Sequence, residues 1–352
     1  MNIKITGTGS YIPNEIQKNE DFNNHQFFNE NGSKIEYSND VIINKFKKIT
    51  GIEERRYASA QQNTSDLAFL SAQKAIDNAN IDPETLDYII VAHNFGDVDM
   101  NTSQADTVPS LAARVKHKLK IENPYCVAYD LLFGCPGWIE GVIHAQSFIK
   151  SNMAKRCLVI GAETLSRVVD KHDRDSMIYS DGAGASIIET TKDTGGIIST
   201  ISASYTLDES NFLFFGKTYN KASNDEKKYI KMHGRKIYEF ALNYVPKAMK
   251  ACLDRTRFDI SDVKKILIHQ ANEKMDEAIV NRFYGLYNEE VPEGIMPMSI
   301  QKLGNSSVAT IPTLYDLILK QKIDNHQIHK GDILLFASVG AGMNINAFLY
   351  QF

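Results

Sequence analysis

AFLSAQKAIDNANIDPETLDYIIVA at residues 68–92 and EFALNYVPKAMKACLDRTRFDISDVKKILIH at residues 239–269 follow one plan: an amphipathic stretch of helical period, a polar link, then a short β-rich run. Val91 corresponds to Ile268, about half the chain away. The plan recurs downstream, where WIEGVIHAQSFIKSN (138–152) and RCLVIGAE (156–163) are matched by VATIPTLYDLILKQK (308–322) and DILLFASVG (332–340), with Leu158 against Leu334. The two halves also close alike, on DGAGASIIE (181–189) and VGAGMNINAFL (339–349). Two chance βα patterns explain one such match more easily than three. The expectation is an α/β protein built by internal duplication, with halves at 1–190 and 191–352 and glycine punctuation in TTKDTGGIIST (190–200) between them. Apolar runs such as YIIVAH and DILLFASV read as strands buried on both faces.

The chain has 352 residues, 43% of them apolar, enough for a large core. A formal charge of −4 supplies no net basic field for nucleic acid or an anionic membrane. No apolar stretch approaches the roughly 20 residues that span a bilayer. The start, MNIKITGTGSYIP, lacks the long apolar region of a signal peptide, so the expected location is the cytoplasm. Four cysteines without CxxC spacing suggest reduced thiols and neither a disulfide frame nor a metal site. Two polar segments, 17–48 and 207–228, read as surface excursions that could shape an entrance to a site.

Three residues stand out chemically. Cys135 lies in VAYDLLFGCPGWIEGVIHAQSF, where a strand-like run meets Gly-Cys-Pro-Gly and a helix follows. Pro136 suits a first helical position, and a thiol at a helix N-terminus is favoured as thiolate, although most cysteines are simply small buried hydrophobes. His269 ends the strand run KILIHQAN, and α/β sheets present site residues at strand C-termini. Asn305 takes, in the duplicated half, the place of Cys135 before the equivalent helix. An asparagine there is also an ordinary N-cap. Pseudo-symmetry would bring Cys135 and Asn305 face to face.

Seven ordered motifs, ITGTGSYIP, ITGIEERRYA, DLLFGCPGW, YSDGAGASIIE, LIHQAN, LGNSSVATIP and SVGAGMN, run through nearly the whole chain. Together they resemble the thiolase superfamily, specifically 3-oxoacyl-acyl-carrier-protein synthase III and its relatives. The resemblance implies a five-layered αβαβα fold of two halves, usually a homodimer. It implies Cys135 as acyl acceptor, His269 and Asn305 as the catalytic pair, and backbone N–H groups of Cys135 and of the Gly340–Ala341–Gly342 turn as an oxyanion hole. It also implies ping-pong condensation without a bound cofactor, the substrates being acyl-CoA or acyl-carrier-protein thioesters.

Classical thiolases add a second cysteine near the glycine turn, and SVGAGMNIN has none, which favours decarboxylative condensation over thiolysis. Where many relatives stack a tryptophan on the CoA adenine, INKFKKITGI offers Lys45. Arg174 matches an arginine associated with that adenine, and Val108 a position beside the partner's acyl channel. Phe133, Trp138 and Asn272 complete the expected substrate contacts, and Lys274, with Arg235, Lys236 and Arg282 as additions, the carrier-protein surface. These departures suggest a specialised relative, such as a ketosynthase joining two acyl chains into dialkylresorcinol-type or cyclohexanedione products. Two rivals are a ketosynthase-fold acyltransferase to an alcohol or amine, and a non-catalytic partner subunit.

Overall fold

The computed structural model describes residues 2–100, 102 and 104–352. The first part of the chain runs β1 (Asn2–Tyr11), β2 (Glu15–Lys18), α1 (Asn39–Thr50), β3 (Glu54–Tyr57), α2 (Thr64–Ala79), β4 (Tyr88–Ala92), α3 (Leu111–Lys118), β5 (Val127–Leu131), α4 (Gly137–Lys150), β6 (Arg156–Thr164) and β7 (Asp181–Thr191). The second runs β8 (Gly196–Ser204), β9 (Leu213–Lys217), β10 (Lys228–Met232), α5 (Gly234–Asp254), β11 (Val263–Ile268), α6 (Glu273–Gly285), α7 (Ile300–Leu303), α8 (Thr310–Leu319), β12 (Ile333–Gly340) and β13 (Asn344–Gln351).

The first sheet has the order β1-β7-β6-β4-β5 and the second β11-β12-β13-β8. Reversed, the second reads β8-β13-β12-β11, the order of β1-β7-β6-β4. In both orders the first two pairings are antiparallel and the third is parallel. β5 has no named counterpart, but Ile266 N donates to Ile295 O at the corresponding edge.

Alternation along the strands assigns side chains to layers. Leu158, Ile160, Ala183 and Ile187 face α2 and α3, while Val159 and Ile188 face α4 and α8. In the second sheet Leu334, Phe336, Phe348 and Tyr350 turn toward α4 and α8, and Leu335, Ala337, Ala347 and Leu349 toward α5 and α6. Five layers result, αβαβα, as the resemblance to thiolases implies.

α2 begins with a reciprocal cap, Asn63 N donating to Asp66 Oδ2 at 2.8 Å, and ends on Asn80 in the left-handed region. Its buried stripe is rich in Ala and Ser, which lets it lie close on the first sheet. α8 is buried on every side, the pattern of a helix clamped between two sheets. Asp316 of α8 accepts from Thr8 at 2.8 Å and Ser10 at 2.6 Å, tying the central layer to β1.

Trp138, expected to touch substrate, lies instead in this central layer at 1% exposure. Its ring is 6.1 Å from both Phe336 and Phe348, which stack on each other at 4.2 Å. The first turn of α4 rotates position 138 away from Cys135 and onto the second sheet. Trp138→Ala should therefore cost about 3–5 kcal/mol, the range for emptying a large aromatic site, as read from denaturant unfolding.

Candidate active site

Three chain turns meet between the sheets. Gly134, at φ +66°, carries the chain from β5 toward α4, and a Cβ there would stand 2.7 Å from Ala341 N. A Cβ on Gly340 would overlap Cys135 N. Glycine at both positions lets the Cys135 turn and the turn after β12 touch backbone to backbone. Asn305 belongs to the third turn, where it bridges Tyr179 and where Ser180 N donates to Asn305 O at 2.9 Å.

Cys135 precedes α4, with Pro136 at the N-cap and not in the first turn. The expected symmetry with Asn305 is looser. After Asn305 comes a 3-10 turn, and α8 starts only at Thr310. Asn305 Oδ1 instead accepts from Ser307 N at 2.8 Å. Ser307 sits at φ +52°, in the left-handed region, and its hydroxyl donates to Cys135 Sγ at 3.2 Å. His269 follows β11 at 4% exposure, its Nδ1 2.7 Å from Thr310 Oγ1.

Cys135, His269, Asn305, Gly340 and Ala341 line one cavity of about 950 Å³. Asn272 and Arg174 line it as well. Lys45 and Arg174 are charged groups on an otherwise largely apolar wall. Segment 17–48 contributes Ile35, Val41, Ile42, Lys45 and Phe46, and the β9–β10 hairpin Leu213, Phe214, Phe215, Ile230 and Met232. The first segment is more than a surface excursion, because Phe22, Phe27, Ile42, Ile43 and Phe46 form a small core with Ile52 and Met177. Buried Lys231 anchors the hairpin to the neighbouring loop through Asp170 at 2.6 Å and Asp173 at 3.1 Å.

Other expected contacts fall elsewhere. Val108 is 85% exposed and Phe133 half-buried, and neither lines the cavity. Gly342 shapes the turn at φ +75° without lining the cavity. Asn272 Oδ1 caps α6 by accepting from Met275 N at 3.1 Å. Lys274 is exposed on the first turn of α6. Arg235 pairs with Glu239, Lys236 stacks on Phe212, and Arg282 donates to Leu242 O and Asn243. Cys126, Cys157 and Cys252 are buried, and all four cysteines are free thiols.

The dry setting governs charge. Burial pushes the Cys135 thiol up to about 12, against the pull of the Ser307 hydroxyl and the Cys135 N–H. The thiolate expected from the helix N-terminus is therefore not the resting form. Burial likewise lowers His269 to about 3, so its imidazole is neutral.

Sequence reading missed Asn94, Glu163, Ser307 and Thr310. The duplication bears on two of them: Asn94 is the second residue after β4 where His269 is the first after β11, and Glu163 corresponds to Val339 in the register that pairs Leu158 with Leu334.

The match to known proteins agrees with this geometry. The family 3-Oxoacyl-[acyl-carrier-protein (ACP)] synthase III matches residues 129–205, and its C-terminal part matches 253–352. A beta-ketoacyl-[acyl-carrier-protein] synthase III 1 of Vibrio parahaemolyticus is 31% identical over the full length of both chains. A beta-ketoacyl-[acyl-carrier-protein] synthase III of Clostridium botulinum is 34% identical over 97% of this chain and 96% of its own. The crystal structure of 3-oxoacyl-[acyl-carrier-protein] synthase III from Aquifex aeolicus superposes with a TM-score of 0.80 at 30% identity, covering 99% of this chain and 100% of that one. Fold and site thus define a thiolase-fold condensing enzyme of the acyltransferase class. The chain belongs to the 3-oxoacyl-[acyl-carrier-protein] synthase III family.

No helix among the described residues is long and apolar enough to cross a membrane. Gly340→Ala should lower stability by about 1–3 kcal/mol, because the added methyl must push the Cys135 turn aside. Thermal unfolding measures the loss, and slower alkylation of Cys135 reports the displaced turn.

Proposed function

We propose that Cys135 takes an acyl group from a CoA or acyl-carrier-protein thioester, and that His269 and Asn305 then join it to a malonyl or 3-oxoacyl thioester. The observation that carries this reading is the Asn305 amide. With Oδ1 held by Ser307 N, Nδ2 is left to donate into the cavity that Cys135 and His269 share.

In loading, Cys135 Sγ bonds to the acyl carbon, the donor's C–S bond breaks, and the leaving thiol departs with the proton that Cys135 gave up. The N–H groups of Cys135 and Ala341, on turns that touch backbone to backbone, would receive the tetrahedral oxyanion. In condensation, loss of CO2 from a malonyl thioester leaves its bonding pair as an enolate. Asn305 Nδ2 and His269 Nε2 donate to the enolate oxygen. The carbanion then bonds to the acyl carbon, the bond to Cys135 breaks, and the thiol regains a proton. For Nε2 to donate, Nδ1 must accept, which requires the single Thr310 hydroxyl proton, donated to Ser307 O at 2.9 Å in the resting site, to turn to Nδ1 at 2.7 Å. The other three cysteines are packed in the core, away from the cavity, so none stands in for the second thiol of a thiolase.

The largely apolar wall and the volume, near the top of the usual 300–1,000 Å³ range for ligand pockets, favour a medium or long acyl group. That supports a second reading, a specialised ketosynthase that joins two acyl chains. Xanthomonas campestris OleA shares the fold, with a TM-score of 0.79 at 16% identity over 100% of this chain and 99% of its own. Transfer to an alcohol or amine needs a base and leaves an enolate-stabilising amide without a task. Arg174 and Lys45 at the cavity and Lys274 outside it are the cations for a CoA or carrier phosphate. Edge strand β5, with Val108, Tyr125, Val127 and Leu132 exposed around it, is the face for a homodimer.

The test is peptide mass spectrometry after incubation with a ladder of acyl-CoA and acyl-carrier thioesters, followed by a malonyl- or 3-oxoacyl-carrier chase. Acyl mass on Cys135 that ends in a carbon-elongated product supports condensation, whereas loss to alcohols or amines overturns it. Cys135→Ala should gain no acyl mass. Asn305→Ala should load normally and lose about 100-fold in condensation, the usual cost of one oxyanion donor. Thr310→Val, near in shape but without the hydroxyl, should load normally and condense about tenfold more slowly. Val127→Arg should shift the protein toward monomer in light scattering.

A further inference from the structure

A buried carboxyl stands behind the nucleophile, and the mechanism above leaves it without a task. Glu163, at the end of β6, is 1% exposed. Its Oε1 accepts from Asn94 Nδ2, and the same Nδ2 donates to Ser307 Oγ at 3.0 Å. Asn94 also holds the carboxyl through its backbone N–H, and the Ser307 hydroxyl reaches it as well. Ser307 Oγ in turn lies 3.2 Å from Cys135 Sγ. Ser307 Oγ and the Glu163 carboxyl share the Asn94 Nδ2 donor, which sets one hydroxyl beside both the thiol and the carboxyl.

We infer that Glu163 exchanges the proton of Cys135 through the Ser307 hydroxyl. The inference rests on the reading of Cys135 as the nucleophile. The Ser307 hydroxyl first turns its proton from Sγ toward Glu163; when the thiol attacks, its proton passes to Ser307 Oγ while the Ser307 proton passes to Glu163. The sulfur lone pair bonds to the acyl carbon, and the C–S electrons of the donor leave on the departing thiolate. Glu163 then returns the proton through Ser307 to that thiolate, which balances the loading half-reaction; the proton that Cys135 regains after condensation comes from water. Asn94 is a positioning residue.

Burial raises Glu163 to about 8, so both of its forms are populated near neutral pH, as a proton exchanger requires. A high thiol beside a high carboxyl makes the exchange closer to balanced than transfer to an ordinary acid. The titratable groups that bear on Glu163 are Cys135 and Asp181 of β7. Asp181 is committed to Ser166 and the Ala58 N–H, with Arg167 nearby, and has no contact with Ser307. His269 is held on the other side by Thr310.

The experiment follows alkylation of Cys135 by iodoacetamide, read on its own peptide, between about pH 5.5 and 9.5, in parallel with acyl loading. Sulfur bonds to carbon, iodide leaves and the thiol proton is lost, so no thioester chemistry is needed. Glu163→Gln keeps the acceptor for Asn94 but cannot titrate. It should slow alkylation at least tenfold at neutral pH and leave only the rise at high pH that belongs to the bare thiol. Ser307→Gly, suited to the left-handed backbone, should give the same profile, and the double variant should lose nothing more.

Thermal unfolding gives a second readout. A carboxyl with a raised folded value keeps a proton that the unfolded chain releases, so wild-type stability falls as pH rises from 4.5 to about 8. Glu163→Gln should gain in melting temperature relative to wild type across that window.

A Glu163→Gln profile identical to wild type, or a loss by the same factor at every pH, overturns the relay. So does a melting-temperature gap that does not change with pH. If wild-type Cys135 alkylates with the expected profile but never loads from any thioester, the nucleophile reading fails and the relay stands.

Discussion

The site depends on one contact, backbone against backbone, between the Gly134–Cys135 turn and the Gly340–Ala341 turn. Each belongs to a different half of the chain, and each follows a strand that ends at the central layer. Side chains at either glycine would hold the turns apart. Because they touch, the N–H groups of Cys135 and Ala341 come to one place, and the thiol opens into the same cavity as His269 and Asn305. The central layer enforces the contact from behind. Phe336 and Phe348 stack beneath Trp138, and Asp316 fastens α8 to β1, so neither turn moves independently of the sheets.

Dryness sets the chemistry. A helix N-terminus stabilises a negative charge by about 0.3–1 kcal/mol. Raising a thiol from 9.0 to about 12 corresponds to about 4 kcal/mol against the thiolate. Burial therefore outweighs the dipole, and the same loss of water keeps His269 neutral and lifts Glu163. His269, Asn305 and the thiol thus meet as neutral groups beside one another in the cavity. Ser307 holds the most connections, since its N–H fixes Asn305 and its hydroxyl touches Cys135.

The duplicated α/β plan was legible in the sequence because apolar alternation and helical period are local signals, and because they occur twice; the five layers followed from the resemblance that the motifs carry. Residues 68–92 and 239–269 announced equivalent units, and the strand orders repeat with them. Cys135, His269 and Asn305 could also be picked out locally, from a Gly-Cys-Pro-Gly turn, a strand end and a Gly-Asn turn. Trp138 could not be placed that way. Adjacency to Cys135 suggested substrate contact, but a helix turns successive residues by about 100°, and three steps carried it into the core. Lys231 carried no signal in the sequence, and it is the buried anchor of the hairpin over the cavity.

The sequence by itself determined the helices and strands, the duplication and the three candidate side chains, since elements and candidates are written in residue type over short stretches and the duplication in the recurrence of those stretches half a chain apart. Only the tertiary structure decided what surrounds them: Asn94 and Glu163 behind the thiol, Thr310 on the imidazole, and the apolar wall from segment 17–48 and the β9–β10 hairpin. Those contacts join residues 41 to 213 positions apart, whose proximity follows from how the sheets pack across the central helices. Solvent exclusion, and with it the charge state of every group in the site, arises only from that packing.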